Sequence, residues 1–216
     1  MTMTHTKKSK QKFIKLKSGL DVQPVLDLIE AKPELWHEIT ARQHSTASAH
    51  TDTECIFTRG PLKMSQYYVQ FDLGAYDYPV LDYLGEELTK LMRPLFEEMY
   101  VKELGRVLIV KLKPGGHVKP HNDQGTYSDY YSRFHIVLSS NDLCSQTCGD
   151  DYAEFDVGDV WWFDHKEIHT ADNRGETDRV HIIFDAVTPL FDKKGVPISS
   201  TLEGKVDYNE VEHGGN

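Results

Sequence analysis

Four side chains carry the chemistry that this sequence advertises: His121 and Asp123, one residue apart, then His169, then Arg179 ten positions further on. Two imidazoles and one carboxylate on one face of a metal leave the opposite positions open, the facial arrangement of non-haem Fe(II) oxygenases. An arginine beside such a site supplies a counter-charge for an acidic cosubstrate that chelates the same iron. On an extended segment His121 and Asp123 leave the same face and reach one ion together. Pro114-Gly115-Gly116 and Pro120 set a turn into that segment and keep it from being helical. His169 follows the aromatic run Val160-Trp161-Trp162-Phe163 and precedes a turn, which places it at the mouth of a barrel.

A repeated strand pattern is the second signal. Arg133, His135 and Val137 alternate with Phe134, Ile136 and Leu138, and Arg179, His181 and Ile183 alternate with Val180, Ile182 and Phe184. Each strand has one apolar face and one face that opens with Arg-x-His. Turned into one barrel, the two polar faces line a pocket for a dicarboxylate, with a bidentate fork on offer from either guanidinium. Other readings stand beside this one. His135 and His181 fit hydrogen-bonded pocket histidines as well as ligands, since facial sites take three protein ligands. Arg133 also fits a salt bridge on a strand face. His50-Thr51-Asp52 repeats the His-x-Asp spacing in a polar loop with no Arg-x-His strand after it, and reads as loop chemistry or a substrate-side element. His117 and His165 read as surface residues.

These residues need a β-rich frame. Short apolar runs at Arg106 to Leu112, Arg133 to Leu138, Tyr152 to Phe155, Asp159 to Phe163 and Arg179 to Ala186, broken by Gly-rich or charged turns, predict a β-sandwich or jelly roll. A helix is predicted from about Tyr78 to Tyr100, with Leu81, Leu84, Leu88, Leu91 and Leu95 on one stripe and Pro94 as a kink or late break. Upstream, Asp21 can cap a short helix bearing Val22, Val25, Leu26 and Ile29, and strands are expected at Glu54 to Thr58 and Gln66 to Phe71 around Gly60-Pro61. The chain divides into a flexible basic arm (1–20), one domain (21–190) with its barrel core at about 105–187, and an acidic tail (191–216).

Composition sets bounds. Hydrophobic residues at 39% and charged residues at 27% suit a soluble globular protein of one domain. No apolar run is long enough to span a bilayer, and the lysine-rich start lacks an apolar block of the signal-peptide kind, so the cytosol is the default compartment. A net charge of -10 argues against general nucleic-acid binding, because phosphate contacts need a basic face. The lysines from Lys7 to Lys17 read as a solvated tail that can also touch an anionic partner. Three cysteines without an export signal argue against a disulfide framework; Cys144 and Cys148 are spaced like half a zinc site but read as two loop thiols.

The stretch Pro114-Gly-Gly-His-Val-Lys-Pro-His121-Asn-Asp123, followed by Ser132-Arg-Phe-His-Ile-Val-Leu138, Gly158-Asp-Val-Trp-Trp-Phe163, His169 and Arg179-Val-His-Ile-Ile-Phe-Asp185, resembles the aspartyl/asparaginyl β-hydroxylase family of 2-oxoglutarate oxygenases. Within it the chain looks closest to the bacterial proline cis-hydroxylase branch. The resemblance implies a double-stranded β-helix, mainly β and cupin-like, with flanking helices and an N-terminal α/β extension. It also implies Fe(II), 2-oxoglutarate as cosubstrate and O2. By carry-over His121, Asp123 and His169 match the iron ligands, Arg179 the arginine for the distal carboxylate of 2-oxoglutarate, and Arg133 and His135 the cosubstrate pocket. Arg59 matches an arginine that faces the substrate in related hydroxylases. Val110 stands where the membrane-anchored members carry a cosubstrate-binding serine. Three functions follow as expectations: hydroxylation of a free amino acid or similar small molecule; hydroxylation of Asp, Asn or Pro in a protein or peptide; and a cupin-like metal-binding protein without turnover.

Overall fold

A computed structural model describes residues 12–44, 48–191, 198 and 212–213 of the chain. Its core is a double-stranded β-helix. From β4 (Glu103–Leu112) the chain passes to β5 (His117–His121) and then, after a short helix, to β6 (Ser132–Ser139). It continues through the hairpin β7 (Cys144–Cys148) and β8 (Asp151–Ala153), then β9 (Val160–Phe163), β10 (His169–Asn173) and β11 (Arg179–Val187). With that numbering the strand order of the larger sheet contains β9-β6-β11-β4, and the smaller contains β8-β7-β10-β5, so the chain crosses from sheet to sheet as it advances.

The extension completes the larger sheet. β1 (Phe13–Lys17) pairs antiparallel with β9 at one edge, while β2 (Thr53–Gly60) and β3 (Tyr76–Asp77) extend the other beyond β4. Its helices are α1 (Gln23–Ala31), α2 (Ala41–His44), α3 (Gln66–Gln70), α4 (Leu81–Glu98) and, inside the barrel segment, α5 (Thr126–Tyr130); a 3₁₀ turn covers Pro33–His37. β12 (Glu212–His213) lies beside β8.

Two-residue alternation decides what each strand faces. On β6 and β11, Phe134, Ile136, Leu138, Val180, Ile182 and Phe184 join the core beneath α1 and α4, to which α4 contributes Leu84, Leu88, Met92 and Leu95. The opposite face, carrying Arg133, His135, Arg179 and His181, turns inward between the sheets. Phe13, Val137, Cys148, Ala153, Phe155, Trp161 and Phe163, drawn from both sheets, fill one end of that space. Trp161 and Trp162 therefore belong to different cores. α4 continues past Pro94 to Glu98.

Four expectations need correction. Residues 13–17 of the expected arm are a strand: Phe13 and Ile14 are buried against β9, and Lys15 pairs with buried Asp159. Residues 1–11 of that arm lie outside the described residues. Gln66 to Phe71 is helical although Tyr67, Tyr68 and Val69 favour strands, because the Arg106 guanidinium donates to the carbonyls of Val69 (2.7 Å), Tyr68 (2.6 Å) and Asp72 (2.9 Å) at its C-terminal end. Orphan carbonyls of a helix end are thereby satisfied by a buried cation. Cys144 and Cys148 are buried on a strand, with Cys144 Sγ donating to Asn173 and Cys148 Sγ to Asp164 O. Finally, Phe191, placed in the acidic tail, packs in the core against Phe134 and Trp162; most of that tail lies outside the described residues.

Candidate active site

β5 and β10 are neighbours in the smaller sheet, and their register sets His121 opposite His169. The two rings lie 4.3 Å apart between centroids. His121 Nδ1 bonds Lys119 O at 2.8 Å and His169 Nδ1 bonds Glu167 O at 2.9 Å. A carbonyl only accepts, so both rings carry a proton on Nδ1, and it is the Nε2 atoms that are left to face a metal. This is the partner arrangement that prepares metal-ligating histidines. Asp123 sits just past the strand, its N–H bonded to His165 O at 2.9 Å and its Oδ1 3.9 Å from His121 Nε2. One ligand atom from each of His121, Asp123 and His169 lies within 4.8 Å of the others.

Electrostatics keep Asp123 and His169 in ligating form. Burial pushes the Asp123 carboxyl up, but Arg133, helped by the imidazoles around it, more than offsets this and holds it well below the carboxylate range. Burial pushes His169 down to about 4 against the pull of Asp123, so the imidazole is neutral at ordinary pH. The donor set, two imidazole nitrogens and one carboxylate oxygen, fits Fe(II).

Beside the triad an inner chamber of about 50 Å³ is bounded by His121, His169, Arg133, His135, Val110 and Arg179 among others. Arg179 is buried, its Nη2 donates to Gln146 Oε1 at 2.9 Å, and its Nε has no partner among the described residues. Burial lowers its pKa to about 10, which leaves it charged at neutral pH. No carboxylate pairs with it among the described residues, so a buried guanidinium fork faces the chamber, as anion recognition requires.

Arg133 also borders the chamber but is otherwise engaged. Its Nε and Nη2 donate to Asp185 Oδ1 (2.8 Å) and Oδ2 (3.1 Å), and Nη1 donates to Asp123 Oδ2. The expected second fork for the cosubstrate is thus spent on two acids. His135 Nδ1 meets His181 Nδ1 at 3.2 Å, and burial with Arg179 nearby pushes His135 well below the usual histidine range. Its Nε2 has no partner among the described residues and His135 borders the chamber, whereas His181 lies behind it. Phe163 shields the chamber, its ring 5.0 Å from both His135 and His169.

The remaining histidines divide. His165 is buried, contrary to expectation: its carbonyl accepts the Asp123 N–H at 2.9 Å and its Nε2 meets Ser128 O at 3.1 Å. His117 is half-exposed and bonded to Asp172 at 2.9 Å. The His50-Thr51-Asp52 loop is strapped to β5 by Lys119 N–H to Ala49 O (2.9 Å) and His117 N–H to Asp52 Oδ2 (3.1 Å). His50 then meets His121 edge-to-face at 4.6 Å and borders both cavities. Arg59, expected to face substrate, instead pairs with Asp77 and donates to Gly105 O at 3.1 Å. Gln146, Tyr127 and Asp185 were not singled out from sequence; only their place on inward strand faces or beside a ligand turn marks them.

Residues 36–189 match the family profile described as Aspartyl/Asparaginyl beta-hydroxylase, which is well over half of the chain. The chain belongs to this family of Fe(II)- and 2-oxoglutarate-dependent oxygenases. Among individual proteins, it is similar to the L-proline cis-4-hydroxylase of Rhizobium meliloti (strain 1021), 29% identical over 83 residues. That match spans 38% of this chain and 30% of the relative's length. Among solved structures, it is similar to an oxidoreductase of the 2OG-Fe(II) oxygenase family from Burkholderia pseudomallei (TM-score 0.48, 11% identity, 75% of this chain and 89% of that one). It is also similar to the viral collagen prolyl hydroxylase of Paramecium Bursaria Chlorella virus-1 (TM-score 0.43, 12% identity, 82% and 95%). Among the described residues no helix is long and apolar enough to cross a membrane.

Proposed function

We propose that the protein hydroxylates an unactivated C–H bond of a free amino acid or a similar small molecule, with His121, Asp123 and His169 holding the metal and Arg179 holding the far carboxylate of 2-oxoglutarate. One observation carries the reading: a buried guanidinium with no carboxylate partner among the described residues faces the same chamber as three grouped ligand atoms. Such a cation is costly in isolation and supports a role in binding an anionic cosubstrate rather than metal storage alone. When bound together there, Fe(II), 2-oxoglutarate and O2 supply C–H oxidation coupled to decarboxylation of the keto acid. The chain's own part is positional. Arg179 and Gln146 orient the dicarboxylate, Phe163 keeps the chamber dry, and Asp123 presents one oxygen to the metal. Relatedness to a proline hydroxylase supports an amino acid as substrate.

A second reading, an amino acid within a peptide, is favoured by size. The outer cavity that opens over His121 and Asp123 holds about 620 Å³, in the range of drug-sized ligands. Its walls include the amides Gln66, Gln70, Asn122 and Gln124. Anaerobically reconstituted enzyme given 2-oxoglutarate, O2 and a panel of free amino acids, proline included, should yield succinate and one product heavier by one oxygen. Oxygen gained only by peptides would transfer the assignment to the second reading, and no substrate-dependent succinate from either panel would refute turnover.

A further inference from the structure

Asp123 is held by a chain of hydrogen-bonded groups that runs through Arg133 and Asp185 to Tyr127 and the backbone of β4. In the β6–β11 register Asp185 stands directly opposite Arg133. Both Asp185 oxygens accept from Arg133, at 2.8 and 3.1 Å, which is a fork-on-fork pair of fixed geometry. Asp185 Oδ2 also accepts the Tyr127 hydroxyl at 3.0 Å, and that hydroxyl accepts the Arg106 N–H at 2.8 Å. The phenol enters only because residue 105 is glycine: a Cβ there would lie 2.6 Å from the Tyr127 oxygen. Tyr127, Asp185 and the Arg106 backbone are buried, so none of these bonds is traded cheaply for water.

We propose that Asp185 and Tyr127 are positioning residues for the metal, acting through Arg133 to occupy Asp123 Oδ2 and leave Oδ1 as the single carboxylate donor. Sharing Arg133 between two carboxylates also leaves the trio one negative charge, facing the cation. With Asp185 neutral, Arg133 would balance Asp123 alone and that attraction would be lost. A carboxylate held at one oxygen cannot close on the metal through both, which preserves the open positions that a chelating cosubstrate requires.

The inference rests on the assignment of His121, Asp123 and His169 as the metal site, and is independent of which substrate is hydroxylated. The test uses the full chain stripped of metal, with Co(II) as probe, following the visible ligand-field bands and the dissociation constant. Asp185→Asn should weaken Co(II) about 10- to 100-fold and alter the band intensities, in the range seen when a ligand's supporting group is lost. Tyr127→Phe should shift both readouts in the same direction by a smaller factor. Circular dichroism confirms that each variant is folded, and Lys90→Ala, on the exposed face of α4, should bind Co(II) as the parent does. Co(II) affinity within twofold of the parent, with unchanged bands, in folded Asp185→Asn overturns the proposal; should that variant fail to fold, the same result in Tyr127→Phe overturns it. If Asp123→Ala also binds like the parent, the metal assignment falls and takes this inference with it.

Discussion

Arg179 and Arg133 border one chamber, yet their partners give them different work. Among the described residues Arg179 has no carboxylate partner and donates to the neutral Gln146 amide, whereas Arg133 is balanced by Asp123 and Asp185. Arg179→Ala should therefore raise the 2-oxoglutarate requirement by about 10-fold or more, since a charged hydrogen bond contributes roughly 1.5–3 kcal/mol, while Co(II) binding is retained. An unchanged KM for 2-oxoglutarate would assign Arg179 to structure. Asp123→Ala should abolish both metal binding and succinate formation, and retained turnover would remove it from the triad. The grouping of His121 with Asp123 was legible in the His-x-Asp spacing, although a turn just past β5 rather than strand alternation brings Asp123 round to it. The difference between the two arginines was not, because Arg-x-His reads the same on both strands and only the register reveals that Asp185 ends opposite Arg133.

At the level of elements, the inward and outward faces of β6 and β11 followed from alternation alone, and α4 from its leucine stripe. Three elements resisted for separate reasons. β7 reads Cys-Ser-Gln-Thr-Cys, too polar for an apolar run, yet its alternate residues Cys144, Gln146 and Cys148 are buried. α3 has strand-like residues but is fixed from outside by Arg106. β1 looks like a lysine-rich tail although Phe13 and Ile14 are core residues. The seam between α5 and β4 makes its own prediction. Gly105→Ala would push a Cβ into the Tyr127 hydroxyl and close to the Asp185 carbonyl, and should cost about 1–3 kcal/mol of stability by overpacking, read from urea unfolding. Parent-like stability would mean that Tyr127 is free to withdraw.

Across the whole molecule, buried neutral histidines tie stability to pH. Burial depresses the pKa of His169 to about 4 and sends His135 and His181 well below the usual value near 6.5. The unfolded chain thus binds more protons than the folded one below about 6.5, so stability is present at neutral pH and lost on acidification. The metal-free protein should show a falling thermal midpoint from about pH 6.5 toward 4; a midpoint flat across that window would contradict the neutral assignments. Length of chain matters as well as charge. Removing residues 1–18 would delete Phe13 and Ile14, each contributing roughly 1.5–3 kcal/mol by burial, and bare the β9 edge, so the truncated protein should melt earlier and self-associate.

Phe13 lies across from Phe163, 150 positions later. During synthesis the first strand emerges early and must wait, unpaired, until nearly the entire barrel has been made. Closure of that edge is a long-range event, slow by its topology. It should come late in refolding, after the central strand pairs have acquired amide protection, which gives the lysines of the opening segment a second duty: keeping a waiting apolar strand from finding the wrong companion.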